Sequence, residues 1–219
     1  MTELNDLLKN FYVEYNTILP FSKMEVSFTP FKVKDSKNIS LILQENNKKL
    51  SLKALVEVIK NNSKNCDIYN LCLADAEYLF LMIRSKSVEE SINLNFKNKP
   101  LNLNLYDIKF RNDIVNKDIN FQNGCSIKIK TPVIKDLLDC DDLDKKSIFK
   151  KSIKSVTLNK ETFYIEKYLP KDLENFIEEM PISLVTEIEK LKHPELYFTL
   201  PDSCGEGEVS GILSFFTYR

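Results

Sequence analysis

Glycine is scarce, tryptophan is missing and histidine occurs once: the 219 residues include 4 Gly, no Trp and 1 His. The scarcity of glycine excludes most. A phosphate-cradling loop needs glycine so that backbone N–H groups can close on an anion. Neither G-x-G-x-x-G nor G-x-x-x-x-G-K-[ST] occurs, which excludes nucleotide enzymes of those two designs. No apolar run approaches the roughly 18 residues that cross a bilayer. Charge of either sign is not in excess: 31 Lys and Arg stand against 32 Asp and Glu, a net charge of -1. A general electrostatic pull towards DNA or anionic membranes is therefore absent. Cys66, Cys72, Cys125, Cys140 and Cys204 form an odd, scattered set behind a polar start, Met-Thr-Glu-Leu-Asn-Asp, with no signal peptide. Reduced thiols in a cytosolic compartment are expected. Abundant Lys, Asn and Ile beside so little Gly and Trp reflect codon usage in an AT-rich genome.

What is present describes a folded chain. With 43% hydrophobic and 29% charged residues it can bury a sizeable core, as one large domain or two small ones. The central stretch is Asp75-Ala76-Glu77-Tyr78-Leu79-Phe80-Leu81-Met82-Ile83-Arg84-Ser85-Lys86-Ser87. Its run Tyr78 to Ile83 is apolar throughout and closes at Arg84. A strand would fit so short a run, but Asp75 as an N-cap, Glu77 in the first turn and the Ala, Leu and Met content predict a helix. Apolar on every side, it should be buried on every side.

Around it the periodicity predicts further elements. Leu4, Leu7, Leu8, Phe11 and Tyr15 lie on one face of an amphipathic helix ended by Pro20. A strand follows at Met24 to Phe28. Asp35 is expected to cap a helix with Ile39, Ile42 and Leu43 inward, and Ser51 a second with Leu52, Leu55, Val56 and Ile59 inward. Leu50 and Leu55 would form the hydrophobic staple of that second helix. Beyond Ser87 the period becomes two: Ile92, Leu94 and Phe96, then Leu101, Leu103 and Leu105, predict a β-hairpin with one apolar face. Asp107 to Gln122 reads as a long loop or irregular edge, Ser126 to Lys130 as a strand, and Thr131-Pro132 as a helix start.

A second hairpin is predicted from Ile153 to Lys167, turning at Asn159-Lys160-Glu161. Pro170 opens a helix with Leu173, Phe176 and Ile177 inward. Pro181 opens another, with Leu184, Val185, Ile188 and Leu191 inward, stopped at His193-Pro194. Leu196, Phe198 and Leu200 form a strand face, Pro201 to Gly207 a turn, and Val209 to Phe216 a final apolar segment. The fold class is α+β: a helical N-terminal part around a buried central helix, with β-hairpins and a smaller α+β C-terminal part. Residues 1–110 form the first part, including the hairpin 92–105, and 111–219 the second, unless both are one continuous domain.

Few residues assemble into chemistry. His193 ends a predicted helix, where a cation suits the dipole, and no second histidine joins it. Asp139, Asp141, Asp142 and Asp144 fail as an EF-hand, since its sixth and twelfth positions would be Asp144 and Lys150, neither Gly nor Glu. Lys145 to Lys154 is a weak nucleic-acid bait, short and offset by the acids beside it. Cys204 lacks a C-x-x-C partner for zinc, Pro201 standing three residues earlier. Arg84 and Lys86, with the serines beside them, supply either a polar interaction surface or charges that suit a helix C-terminus.

Three blocks carry a resemblance. Leu19-Pro20-Phe21-Ser22, Pro30-Phe31-x-Val33-Lys34, and above all Asp75 to Val88 resemble the baseplate hub proteins of T4-type contractile-tailed bacteriophages. An acidic residue, a Tyr-(apolar)-Phe core and Arg-x-x-Ser recur there. Looser likenesses are Phe176-Ile177 to Pro181, Leu191 to Leu196, and Cys204-Gly205 through Phe215-Phe216. Cysteine pairs common in that family are missing at Asn95 to Pro100, and only Cys204 remains near the end, so no zinc ligand set is complete.

The resemblance implies a non-enzymatic tail protein without cofactor or metal. It would be made in the host bacterial cytoplasm and would act in hub assembly through contacts with other baseplate hub and tail proteins. No nucleic-acid partner or membrane span is implied, and a homo-oligomer is left open. The role is either that of a retained hub subunit or that of an assembly chaperone absent from the mature virion. Asp75, Tyr78, Phe80, Arg84 and Ser87 are the motif residues, and Phe215 and Phe216 join them as candidate interaction residues. Two alternatives of other classes are a small thiol enzyme or hydrolase using Cys204 or His193, and a nucleic-acid-binding module using Lys145 to Lys154.

Overall fold

The computed structural model describes residues 13–44, 47–96, 99–121, 124–201 and 207–211. These form a mixed α+β protein that divides into two compact units, Met1–Arg111 with Glu195–Arg219, and Asn112–Pro194.

In the first unit, β1 (Tyr15–Ile18), β2 (Glu25–Phe28) and β3 (Ser63–Lys64) form an antiparallel sheet. Helices α1 (Ser36–Gln44), α2 (Lys48–Asn62) and α3 (Leu73–Ser87) follow the order of the chain. The predicted hairpin is present as β4 (Ser91–Phe96) and β5 (Lys99–Asn104), with Ile92 opposite Leu103. Ile92, Leu101, Leu103 and Leu105 are buried, so the alternation in the sequence does mark an inward face.

A third sheet joins distant stretches. β6 (Lys109–Arg111) and β12 (Glu208–Ser210) flank β11 (Glu195–Thr199). Leu196, Phe198 and Leu200 point inward as their alternation predicts. Arg111 ties the three strands together: Nε donates to Glu195 at 2.7 Å, Nη1 pairs with Glu208, and the guanidinium lies 4.7 Å from the Tyr197 ring centre. Strands β11 and β12, which the sequence places in a part starting at 111, thus pair within the first unit.

α3 is the centre of that unit. Leu79, Leu81 and Ile83 are fully buried, Phe80 nearly so, and Ala74, Ala76 and Met82 are also enclosed. Each large side chain so buried contributes about 2 kcal/mol of transfer free energy.

In the second unit, β7 (Asn116–Asn120), β8 (Cys125–Lys130), β9 (Ile153–Leu158) and β10 (Glu161–Tyr164) form one antiparallel sheet in the order β10-β9-β8-β7. The β9–β10 hairpin turns at Asn159 and Lys160, whose φ values of 50° and 72° are those of a two-residue primed turn. Helices α4 (Ile134–Leu138), α5 (Lys145–Ser152), α6 (Pro170–Glu178) and α7 (Ile182–Glu189) complete the unit. Ile127, Ile129, Ile153, Ile177, Met180 and Ile188 are its core, with Leu173, Leu184, Val185 and Leu191 packed against them.

Several expectations are corrected. Tyr15 lies in β1 opposite Phe28, so the stretch before Pro20 is strand where a helix was expected, while Leu4, Leu7, Leu8 and Phe11 lie outside the described residues. The segment 107–122, read as a long loop or irregular edge, contains two edge strands, β6 and all of β7, because edge strands tolerate polar residues and so escape an alternation test. α2 starts at Asn47, whose side chain accepts from the Lys49 and Leu50 N–H groups, a full turn before Ser51. Ser51 is instead buried inside the helix, and Leu50 is exposed, so the expected staple does not form. Pro132 precedes the N-cap of α4, Val133, so this helix starts later than predicted. Cys204 and most of the turn from Pro201 to Gly207 lie outside the described residues, as does the final segment beyond Gly211, with Phe215 and Phe216.

Candidate functional site

The three sequence blocks meet on α3. Asp75 does not cap this helix: the N-cap is Cys72, one turn earlier, and Asp75 occupies the third helical position, fully buried. Its two carboxylate oxygens are engaged elsewhere. Oδ1 accepts from the Phe21 N–H at 3.0 Å and Oδ2 from the Ser22 N–H at 2.8 Å. Those amides belong to the tight turn Leu19 to Met24, closed by Leu19 N–H donating to Met24 O at 2.9 Å. A carboxylate in the first turn of a helix also suits the helix dipole. The acid therefore holds a loop in place at no loss to its own helix.

The far end of α3 repeats the device with a hydroxyl. Ser87 Oγ donates to the Ile83 carbonyl at 2.6 Å and accepts from the Phe31 N–H at 2.7 Å. Between these two fastenings, Phe31 packs against Phe80 with ring centres 5.4 Å apart. Tyr78 is only partly buried, its ring edge-on to Phe110 at 5.6 Å and its hydroxyl 3.5 Å from Thr17 Oγ1.

Arg84 Nη1 donates to the Ser91 carbonyl at 2.9 Å and the Glu89 carbonyl at 3.2 Å, which anchors the start of β4. Burial pushes its guanidinium below the ordinary range, opposed by Glu89. Five motif residues thus spend their polar atoms and rings on segments of their own unit.

A further polar cluster escaped the sequence. Asp35 was expected to cap α1, but its buried carboxylate accepts from the Lys32 N–H at 2.9 Å, Asn61 Nδ2 at 3.2 Å and Asn62 Nδ2 at 2.7 Å. It joins the entry of α1 to the end of α2, a role no local pattern signals. Lys86 was the second cation of the expected polar surface. Its Nζ donates to Glu90 and to the Tyr106 hydroxyl, both at 2.8 Å.

The groups considered for chemistry are separated. Burial pushes the Cys66 thiol up to about 11 and the Cys72 thiol up to about 12, with acidic neighbours adding to the shift, so neither supplies a thiolate near neutrality. His193 lies beyond the end of α7 and is no helix cap. Its Nε2 is 3.2 Å from Ser152 Oγ, a pairing that a separation of 41 residues concealed. Ser152 is buried and donates to the Ile148 carbonyl at 2.9 Å, while His193 Nδ1 has no hydrogen-bond partner among the described residues. A nucleophilic pair needs an exposed hydroxyl and a third group to orient the imidazole. This pair has neither, and burial pulls the imidazole pKa down.

In the acidic cluster, Asp144 caps α5 by accepting from the Ser147 N–H at 2.7 Å. Among the described residues no group of three or more His, Cys, Asp or Glu could hold a metal ion. The basic run is largely paired: Lys146 with Glu178 at 3.0 Å, Lys150 with Glu174 at 2.7 Å, and Lys151 with Asp139 at 3.9 Å.

These features define a scaffold: a helix whose central run is enclosed, with separate loops fastened to its two ends. The family described as T4 bacteriophage base plate protein matches residues 12–217, nearly the whole chain, and the chain belongs to that family. No curated protein and no solved structure matches it significantly. Family membership places the protein with the phage tail baseplate and implies contacts with other phage tail proteins. No helix among the described residues is long and apolar enough to cross a membrane.

Proposed function

We propose that the protein is a non-enzymatic component of the baseplate hub that acts through protein–protein contacts while the tail is assembled in the host cytoplasm. The family match over residues 12–217 carries this proposal. The geometry of α3 supports it, because the motif residues are invested in a rigid platform. On such a platform Asp75, Tyr78, Phe80, Arg84 and Ser87 act indirectly, by holding outer surfaces in shape, and partner tail proteins contact those surfaces. Phe215 and Phe216 remain proposed contact residues at the end of the chain.

Mass spectrometry of purified virions separates the two roles within this proposal. The protein present at a fixed ratio to other baseplate proteins identifies a retained subunit. Its absence, together with failed tail assembly when its gene is deleted, identifies a chaperone. Infectious particles formed at normal yield after deletion would overturn both. The enzymatic alternative is tested by the double substitution His193→Gln and Cys204→Ser, for which full viability is the expected result.

A further inference from the structure

An apolar groove of about 380 Å³ opens in the second unit between the β9–β10 hairpin and α6. Its volume falls in the range of about 300 to 1,000 Å³ typical of small-ligand sites. Three aromatic rings line it: Phe163 from β10, Tyr168 at the end of the short turn Ile165–Lys167, and Phe176 from α6. Ile165 and Leu173 also line it and pack against the core of the unit, which gives the groove a fixed side. Tyr168 and Phe176 keep 47% and 39% of their surface exposed, so the groove is open to a neighbour.

The charge of the groove is concentrated at one point. Among the described lining residues only Asp172 is charged. It occupies the third position of α6, where a carboxylate suits the helix dipole. The other two acids of α6 are engaged, Glu174 by Lys150 at 2.7 Å and Glu178 by Lys146 at 3.0 Å. The carboxylate of Asp172 has no ion pair or hydrogen bond among the described residues. Lys167, the cation of the adjoining turn, lies over the Tyr164 ring at 5.5 Å instead.

Aromatic faces attract a cation and a carboxylate pairs with it, so a groove with both is complementary to one positive charge on an apolar stem. A wholly apolar occupant would cover Asp172 without pairing it. Of the two basic side chains arginine fits better, because its guanidinium is planar, weakly hydrated, stacks on rings and offers a carboxylate two parallel N–H donors. We propose that the groove takes an arginine side chain, flanked by apolar residues, from a segment of a partner tail protein. This rests on the reading that the protein works through protein–protein contacts, and it names the chemistry of one such contact.

Two-dimensional NMR of the full chain, titrated with the probe peptide acetyl-Leu-Arg-Leu-amide, tests it. One anchor side chain predicts a Kd on the order of 1 mM, read from the amide shifts of Phe163, Tyr168, Asp172 and Phe176. Citrulline in place of arginine keeps the shape and removes the charge, and should weaken binding about tenfold. Asp172→Asn should weaken the arginine peptide about threefold and leave the citrulline peptide unchanged, a coupling that a general loss of structure would not produce. Tyr168→Ala should weaken both peptides. No groove shifts up to about 10 mM peptide would overturn the proposal. So would equal binding of the two peptides, or an arginine peptide indifferent to Asp172→Asn. Groove shifts that follow protein concentration without peptide would overturn it too, by placing a second copy there. Virion mass spectrometry and gene deletion do not depend on the groove, so its failure is distinguishable from failure of the baseplate reading.

Discussion

The two units are held together by different means. In the first, buried polar atoms at named positions bind loop backbone to the ends of a helix: Asp75 to Phe21 and Ser22, Ser87 to Phe31, Asp35 to Lys32. In the second, an isoleucine-rich sheet face packs on two helices, and the polar contacts between helices α5 and α6 are ion pairs at the surface, one exposed and one part-buried. A buried hydrogen bond to a fixed amide needs one particular side chain, whereas an apolar contact needs only the right volume. By that argument the first unit constrains residue identity at Asp75, Ser87 and Asp35 more tightly than the second constrains its isoleucines.

The comparison can be broken by substitution, with urea denaturation as the common measurement. Phe80→Ala should have the largest effect, about 4 kcal/mol, because it opens a cavity beneath Phe31 in a nearly sealed core. Asp75→Ala should follow at about 3 kcal/mol, since two amides lose a charged acceptor. Ser87→Ala should cost about 1 kcal/mol for the single Phe31 amide. In the second unit Ile129→Val should cost about 1 kcal/mol, as a buried methylene is lost without a polar group being stranded. If Asp75→Ala proved no worse than Ile129→Val, the contrast between the units would fail.

A smaller effect concerns pH. Burial holds the folded pKa of His193 below its ordinary 6.5. As pH falls below about 6.5 the unfolded chain binds a proton that the folded chain refuses, so stability declines until the folded pKa is passed. Thermal melts of His193→Gln between pH 7 and pH 5, read at residues of the second unit by hydrogen exchange, should be flatter than those of the parent. Lys150→Ala should leave the urea midpoint unchanged within error, because its partner Glu174 is solvated.

Much of the fold was legible. The apolar run Tyr78 to Ile83 marked the enclosed helix, the alternation at 92–105 marked its hairpin, and the turn at Asn159-Lys160 fell where φ becomes positive. These are local signals, set by side-chain period and turn chemistry. Less legible were the capping positions. Asp75, Asp35 and Ser51 all looked like N-caps, because a short polar side chain before an apolar run fits a cap as well as the long-range hydrogen bonds that Asp75 and Asp35 make, or the buried mid-helix position that Ser51 takes. Polar edge strands such as β7 carried no alternation to detect.

The residues by themselves determined the α+β class and the buried helix. Tertiary structure alone decided where Asp75, Arg84 and Ser87 find their partners. Asp75 and Ser87 bind amides more than fifty positions away, Arg111 reaches Glu195 and Glu208 across the second unit's sequence, and His193 meets Ser152. Such partners are chosen by where folding brings the chain, and no local pattern records that choice.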